Sequence, residues 1–429
     1  MTDRRGFITK SISAAGALVL NSSFISLPKE KLTELNIEAL KKTPEALASD
    51  EDFWSQMKQA YTVSPNIINL NNGGVSPAPK VVQESLARQN TYANEAPSYY
   101  MWRIMSQGKE PLRENLAKYA GVSPEEIAIN RNATEALNTI IMGMTLKAGD
   151  EVILSKYDYP NMLHAWRQRE QREGIVLKYV DLKLPSESKN ELVKIYADQM
   201  TAKTKVVHVT HMINWNGQIM PVKEIADLAH KKNIEVVCDG AHTFAHIDHK
   251  ISDLNCDYYG TSLHKWLCAP IGSGMLWVKK EHITKIYPLI PNDTPLSDDI
   301  RKFENLGTRS FPIEQAIGEA LNFQYSIGNE RKEARLRYLK DYWAKEAIKM
   351  ERIRLNTSLK SNFSCALAHV GIAGLEAGEM ESKLFGKYKV HTSPTKWEAL
   401  NGIRIAPHIY TSTRDLDRLL DGLKYLHTL

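Results

Sequence analysis

The residues best suited to covalent chemistry gather around Lys265, in the run Tyr258-Tyr-Gly-Thr-Ser-Leu-His-Lys-Trp-Leu-Cys-Ala-Pro-Ile-Gly-Ser-Gly274. An amine among aromatics and glycines, just past a strand-like segment, is partly desolvated. Its pKa falls, and it can act as a nucleophile or form a Schiff base. The pair His264-Lys265 is no signature by itself, because most lysines are solvated surface groups. Upstream, Val236-Val-Cys-Asp239-Gly-Ala-His242 sets an acid at the C-terminal end of an apolar strand, the edge where open α/β sheets bind ligands. A carboxylate there either keeps a heteroaromatic nitrogen protonated by charge pairing or caps the next helix. In Asn130-Arg-Asn-Ala-Thr134 a strand end feeds a helix. Its backbone N–H groups and the threonine hydroxyl could cradle a phosphate, or Asn132 or Thr134 could simply cap. In His211-Met-Ile-Asn214-Trp-Asn-Gly217, Asn214 either donates to a ligand oxygen or caps the turn.

Holding these groups together requires a sheet. Strand-like runs at Glu151–Ser155, Ile175–Tyr179, Val206–Thr210, Ile234–Cys238 and Met275–Val278 alternate with helical patterns such as Val222–Lys232. Continuous apolar strands spaced by helices predict a parallel sheet covered on both faces. From Glu30 to Met57 the pattern is helical and charged. Beyond Pro312 the strands thin out and helical patterns dominate Ile313–Ile353. A last amphipathic helix, Asp415–Leu426, sets Leu416, Leu419, Leu420 and Leu423 on one face. The fold class is α/β, a large domain followed by a smaller α+β domain.

A phosphate cradle, an acid and an amine at the strand ends of one sheet are the parts that pyridoxal phosphate needs. With Asn71-Asn-Gly-Gly-Val-Ser-Pro77, Asn132-Ala-Thr-Glu-Ala-Leu137, Asn214-x-x-Gly217, Asp239-Gly-Ala-His242, Ser262-Leu-His-Lys265 and Gly307-Thr308-Arg309 in place, the chain from about Asn66 onward resembles the class V aminotransferase family. These are fold type I pyridoxal-phosphate enzymes, and the chain looks most like their isopenicillin N epimerase-like branch. The resemblance implies a mostly parallel seven-stranded sheet in the large domain. It implies Lys265 as the aldimine lysine and Asp239 as partner of the pyridine nitrogen. Ala133, Thr134, Ser262 and His264 would surround the phosphate, with His242 and Asn214 near the ring hydroxyl. Tyr159, in Ser155-Lys-Tyr-Asp-Tyr-Pro160, would stack on the ring, with Asp158 as its competitor. Arg404 would hold a substrate carboxylate, a role that suits a bidentate guanidinium; otherwise it is a strand arginine paired to a neighbour. Thr308 would reach the phosphate of the other subunit of a homodimer. The implied layout is a targeting segment at 1–27, a helical arm at 28–65 packing with the small domain, a cofactor-binding domain at 66–310 and a small domain at 311–429.

Departures from the family narrow the chemistry. Cysteine desulfurases of this family carry a nucleophilic cysteine on a loop shortly before the arginine. Residues 387–402 contain none, and Cys365 lies too far upstream. The four cysteines include no C-x-x-C pair and suit small buried thiols. A metal site built from His246, Asp248 and His249 is a further alternative to a solvated loop. The net charge of +5 is scattered and argues against nucleic acid. At the N-terminus, Arg4-Arg-Gly-Phe-Ile-Thr-Lys10 precedes an apolar stretch, Ile12 to Leu20, that breaks at Asn21-Ser-Ser23. This resembles a twin-arginine export signal, predicting a periplasmic or exported protein. The stretch is too short to span a membrane, which needs about 20 apolar residues.

The expected reaction begins at the α-carbon of an amino-acid-type substrate, with Lys265 as general base. Returning the proton on the opposite face would be epimerisation and needs a second acid, for which Tyr159, Tyr99 and Tyr100 are candidates. Transamination and β-elimination are the alternatives. A non-catalytic amine- or peptide-binding module on the same fold would be expected to have lost the lysine, the acid or the cradle, and none is lost.

Overall fold

The computed structural model describes residues 42–429, so the arginine pair, the apolar stretch and the start of the Glu30–Met57 pattern lie outside the described residues. The part of that pattern within them forms two helices, Pro44–Ala48 and Glu51–Lys58, each opened by a side-chain cap, Thr43 and Asp50. Asp50, which caps the second, falls between them.

Seven strands form the large sheet: β2 (Ile127–Asn130), β3 (Glu151–Ser155), β4 (Val176–Val180), β5 (Thr204–Thr210), β6 (Glu235–Asp239), β7 (Tyr258–Ser262) and β8 (Gly274–Val278). Their order is β2-β8-β7-β6-β5-β3-β4. All neighbours run parallel except β8, which is antiparallel to both β2 and β7. The central strands read as apolar runs because both faces are covered. Val206, Val207 and Val209 of β5 and Val236, Val237 and Cys238 of β6 are all buried, each valine contributing about 1.5–3 kcal/mol of burial. One face packs with the helices Ala133–Gly143 and Pro160–Glu173. Pro160 at the first position and Gly174 just past the end (φ +73°) bracket the second of these.

A smaller antiparallel sheet has the order β12-β13-β10-β9, from β9 (Ile353–Leu355), β10 (Ala368–Ile372), β12 (Ser393–Trp397) and β13 (Leu400–Ile405). It packs with the final helix, Thr413–His427, whose Leu416, Leu419 and Leu423 are fully buried. A short parallel pair joins β1 (Ile68–Asn69) to β11 (Val390–His391), so the chain enters beside the small sheet before crossing to the large one. The helical pattern over Ile313–Ile353 divides at Gly328 (φ +86°) into Phe311–Ile327 and Asn329–Ala347, and Ile353 belongs to β9. Phe311–Ile327 packs on the helices Lys80–Glu95 and Lys109–Ala120. No helix among the described residues is long and apolar enough to cross a membrane.

Candidate active site

The strand ends converge as the parallel topology requires. Thr210, Asp239 and Gly260 lie side by side in register on β5, β6 and β7. Lys265 follows β7 by three residues, and a pocket of about 300 Å³ opens above them. Its wall includes Lys265, Asp239, His242, Asn214, Ala133, Thr134, Tyr159, Ser262, His264 and Arg404, so ten side chains singled out from the sequence meet in one place. Thr308 does not line it; it is exposed on the turn after Gly307 (φ +66°).

Lys265 is half-buried, and its Nζ lies 3.1 Å from Nε2 of His242. Desolvation brings the amine down to about 8, opposed by the negative charge of Asp239 and aided by the positive charge of Arg404. Burial also holds His242 well below its ordinary value, reinforced by Lys265 and Arg404, so the imidazole beside the lysine is neutral. Asp239 does not cap a helix: the chain after it is a turn, and one carboxylate oxygen takes the Ala241 N–H at 3.0 Å. Burial raises its pKa, and Lys265 partly offsets this.

The cradle is both cap and site. Asn132 accepts the Glu135 N–H at 2.9 Å as the helix N-cap, while Ser262 Oγ accepts the Ala133 N–H at 2.9 Å. Gly274 makes this approach possible, since a Cβ there would stand 2.5 Å from the Asn132 backbone nitrogen. His264 donates from Nδ1 to the Ser273 carbonyl, 3.0 Å away. Asn214 is not the turn's cap; Asn216 accepts the Gln218 N–H, and Asn214 Oδ1 is buried without a partner.

Arg404 pairs in register with His369 and Ser393 on β10 and β12, but its guanidinium meets neither a carboxylate nor these neighbours in any hydrogen bond. It donates to the Asn214 carbonyl at 3.0 Å and to Asn71 Oδ1 at 2.8 Å, and its Nε is buried without a partner. Burial lowers its pKa to about 10, with Tyr159 acting in the opposite sense. The Tyr159 ring centroid lies 6.0 Å from Lys265 Nζ.

Other candidates fall outside. Asp158 is turned into the protein, leaving Tyr159 at the pocket. Tyr99 and Tyr100 do not line the pocket, and Tyr99 is exposed. His246, Asp248 and His249 are occupied separately: His246 bonds the His242 carbonyl and the Ala366 N–H, Asp248 takes the Asn329 amide and His249 faces the Ile247 carbonyl. Among the described residues no three metal-ligating side chains converge. All four cysteines are buried and free, and burial pushes the Cys365 thiol up to about 12, the reverse of a nucleophilic thiol. Sequence reasoning passed over Thr210 and Asn71 as site residues. Thr210 reads as an ordinary strand end and Asn71 as part of a family landmark with no role of its own; register brings the first to the site and the bond from Arg404 the second.

Residues 68–419 match the model of the aminotransferase class-V family. The chain belongs to the class V aminotransferase family. This class V protein is 27% identical over 395 residues to an isopenicillin N epimerase of Streptomyces clavuligerus, covering 87% of this chain and 98% of that one. It is 22% identical over 384 residues to a hercynylcysteine sulfoxide lyase of Schizosaccharomyces pombe, covering 86% and 96%. The cysteine desulfurase CsdA of Escherichia coli shares the fold, with a TM-score of 0.77 at 19% identity over 88% of this chain and 99% of that one. The class V enzyme is therefore a fold type I protein that uses pyridoxal 5′-phosphate. Its pocket fits that cofactor on independent grounds. The buried, unpartnered Asn214 Oδ1 and His242 Nδ1 belong to side chains of its wall, and buried polar atoms without partners are rare unless a ligand or water satisfies them.

Proposed function

We propose that this enzyme moves a proton at the α-carbon of an amino-acid-type substrate, as an isopenicillin N epimerase-like member of its family, by epimerisation or transamination. One observation carries the reading: the Lys265 amine and Tyr159 ring face one pocket 6.0 Å apart, with the buried guanidinium of Arg404 in the same wall. Pyridoxal 5′-phosphate, when bound, supplies the electron sink that makes an α-proton acidic. Asp239 would pair with its ring nitrogen. Ala133, Thr134, Ser262 and His264 would surround its phosphate, with His242 and Asn214 at the ring hydroxyl and Tyr159 against the ring. Arg404 would take the substrate carboxylate, where its unpartnered Nε offers a further donor. Lys265 is the base, with a pKa near working pH as general base catalysis favours. Neutral His242 orients the amine without adding charge beside it. Of the three tyrosines considered as second acid, Tyr159 alone lines the pocket.

A β-eliminating lyase is the second reading. It is favoured by the likeness to the sulfoxide lyase. Incubation with candidate amino acids in D₂O decides between them. Deuterium at the α-carbon with inversion, or conversion of the substrate to its own keto acid while an added keto acid takes up the amino group, supports the first reading; release of a β-substituent with pyruvate and ammonia supports the second.

Two further parts of the proposal concern assembly and location. The exposed turn at Thr308 would reach the phosphate of a second subunit, making the enzyme a homodimer, which light scattering tests. Arg4-Arg5 would direct export through the twin-arginine route. Fractionating cells that express the chain with both arginines changed to lysine tests this, with retention in the cytoplasm expected.

A further inference from the structure

Behind the pocket wall stands a second buried carboxyl that the reaction above does not use. Asp158 lies in the turn between β3 and the helix Pro160–Glu173. One oxygen accepts the Ser155 N–H at 2.7 Å, and the other accepts the Thr210 hydroxyl at 2.7 Å. It thus ties the end of β3 to the end of β5, immediately before Tyr159. Thr210 lines the pocket and is the register partner of Asp239.

We propose that Asp158 is a positioning residue for the cofactor, acting through Thr210, whose hydroxyl it turns away from the pocket or releases toward it according to its own protonation. A carboxylate is acceptor-only, so an ionised Asp158 consumes the Thr210 proton and leaves Thr210 Oγ1 only lone pairs to offer the pocket. A protonated Asp158 reverses this hydrogen bond: its own O–H donates to Thr210 Oγ1, and the Thr210 hydroxyl is free to donate to a ligand. The titratable groups facing Asp158 are Asp239, from β6, and the Tyr196 phenol, from the helix Lys189–Ala197. Burial keeps Tyr196 neutral. Burial also raises Asp158 to about 7; its bonds from Thr210 and Ser155 work against this, and the charge on Asp239 works with it. Both forms are therefore populated near neutrality. An Asp239 held ionised by a cationic ring nitrogen favours the protonated form, since two adjacent buried carboxylates repel.

The inference rests on the cofactor assignment, and its test separates the two. Cofactor dissociation from the holoenzyme is followed by its bound absorbance between pH 5.5 and 8.5 in wild type, Asp158→Asn, Thr210→Val and Thr210→Ser. Circular dichroism checks the fold of each. Beyond the rise in affinity near pH 8 that Lys265 gives all four proteins, the expected result is a change in Kd of threefold or more through about pH 7 in wild type and Thr210→Ser, absent from Asp158→Asn and Thr210→Val. An unchanged pH step in either of the last two, or no step in wild type, overturns the inference. Failure of wild type to hold pyridoxal 5′-phosphate at all would instead overturn the cofactor assignment. Because Thr210→Val leaves the Asp158 turn in place, the test stands even if Asp158→Asn does not fold.

Discussion

Nζ of half-buried Lys265 stands 3.1 Å from Nε2 of buried His242, with no carboxylate bonded to either nitrogen. Desolvation disfavours a positive charge on both, so the imidazole is neutral and the amine gives up its proton near 8 instead of at its ordinary 10.5. A neutral amine is what a cofactor lysine and general base requires, and this pairing leads to the following expectations.

The cofactor-free enzyme should capture pyridoxal 5′-phosphate faster as pH rises through about 8, because only the deprotonated Lys265 amine attacks. The negative charge of Asp239 raises that pKa and the charge of Arg404 lowers it. Asp239→Asn should therefore move the midpoint down and Arg404→Gln should move it up. Borohydride trapping at a series of pH values measures both shifts.

Stability should follow the same linkage. The folded pKa of Lys265, about 8, lies below its ordinary 10.5. The folded state therefore resists a proton that the unfolded chain takes up, a cost fully present below pH 8 and relieved as pH rises from 8 to 10.5. Lys265→Met should stabilise the cofactor-free protein at pH 7 by on the order of 2–3 kcal/mol, a gain that shrinks toward pH 10. Urea unfolding at the two pH values checks this.

Tyr159→Phe should leave α-proton exchange with solvent within about tenfold of wild type, because Lys265 is untouched. Inversion should fall by roughly 10²–10⁴, the worth of a positioned proton donor. Chiral chromatography of the recovered substrate separates exchange from inversion. Equal loss of both would assign Tyr159 to ring stacking alone.

Gly240 follows Asp239 directly, and a Cβ there would come within 1.9 Å of the Tyr259 ring. Gly240→Ala should cost about 1–3 kcal/mol or more through overpacking and loosen the Asp239 turn. Thermal melting and cofactor Kd should both worsen.

The large sheet was legible because its strands are continuous apolar runs, and Val236–Cys238 could not be mistaken for an exposed strand. The edges of the pattern were less so. Gly328 gives no clear break within the long helical stretch, since a lone glycine in a helical pattern is tolerated. Lys265 and Asp239 stand out by residue type at strand ends, and the family resemblance adds His242. Their mutual geometry does not stand out, because it depends on how tightly the turn after β6 folds under the lysine. Arg404 shows the limit most clearly. The resemblance implies a carboxylate clamp and its place in a strand a neighbour's partner, and only the tertiary contacts with Asn71 and the Asn214 carbonyl show a buried guanidinium with a donor to spare. Asp158 sits next to the aromatic that sequence reasoning chose, yet its bond to Thr210 joins residues on two strands and leaves no trace in either segment.

The most direct test of the central claim is to reduce the purified enzyme with borohydride and map the pyridoxyl group by peptide mass spectrometry, alongside Lys265→Ala. The account predicts a single modified lysine, Lys265, and an unmodified variant that has lost at least about a thousandfold in turnover. A pyridoxyl group on another lysine, or a variant that keeps its activity, would contradict it.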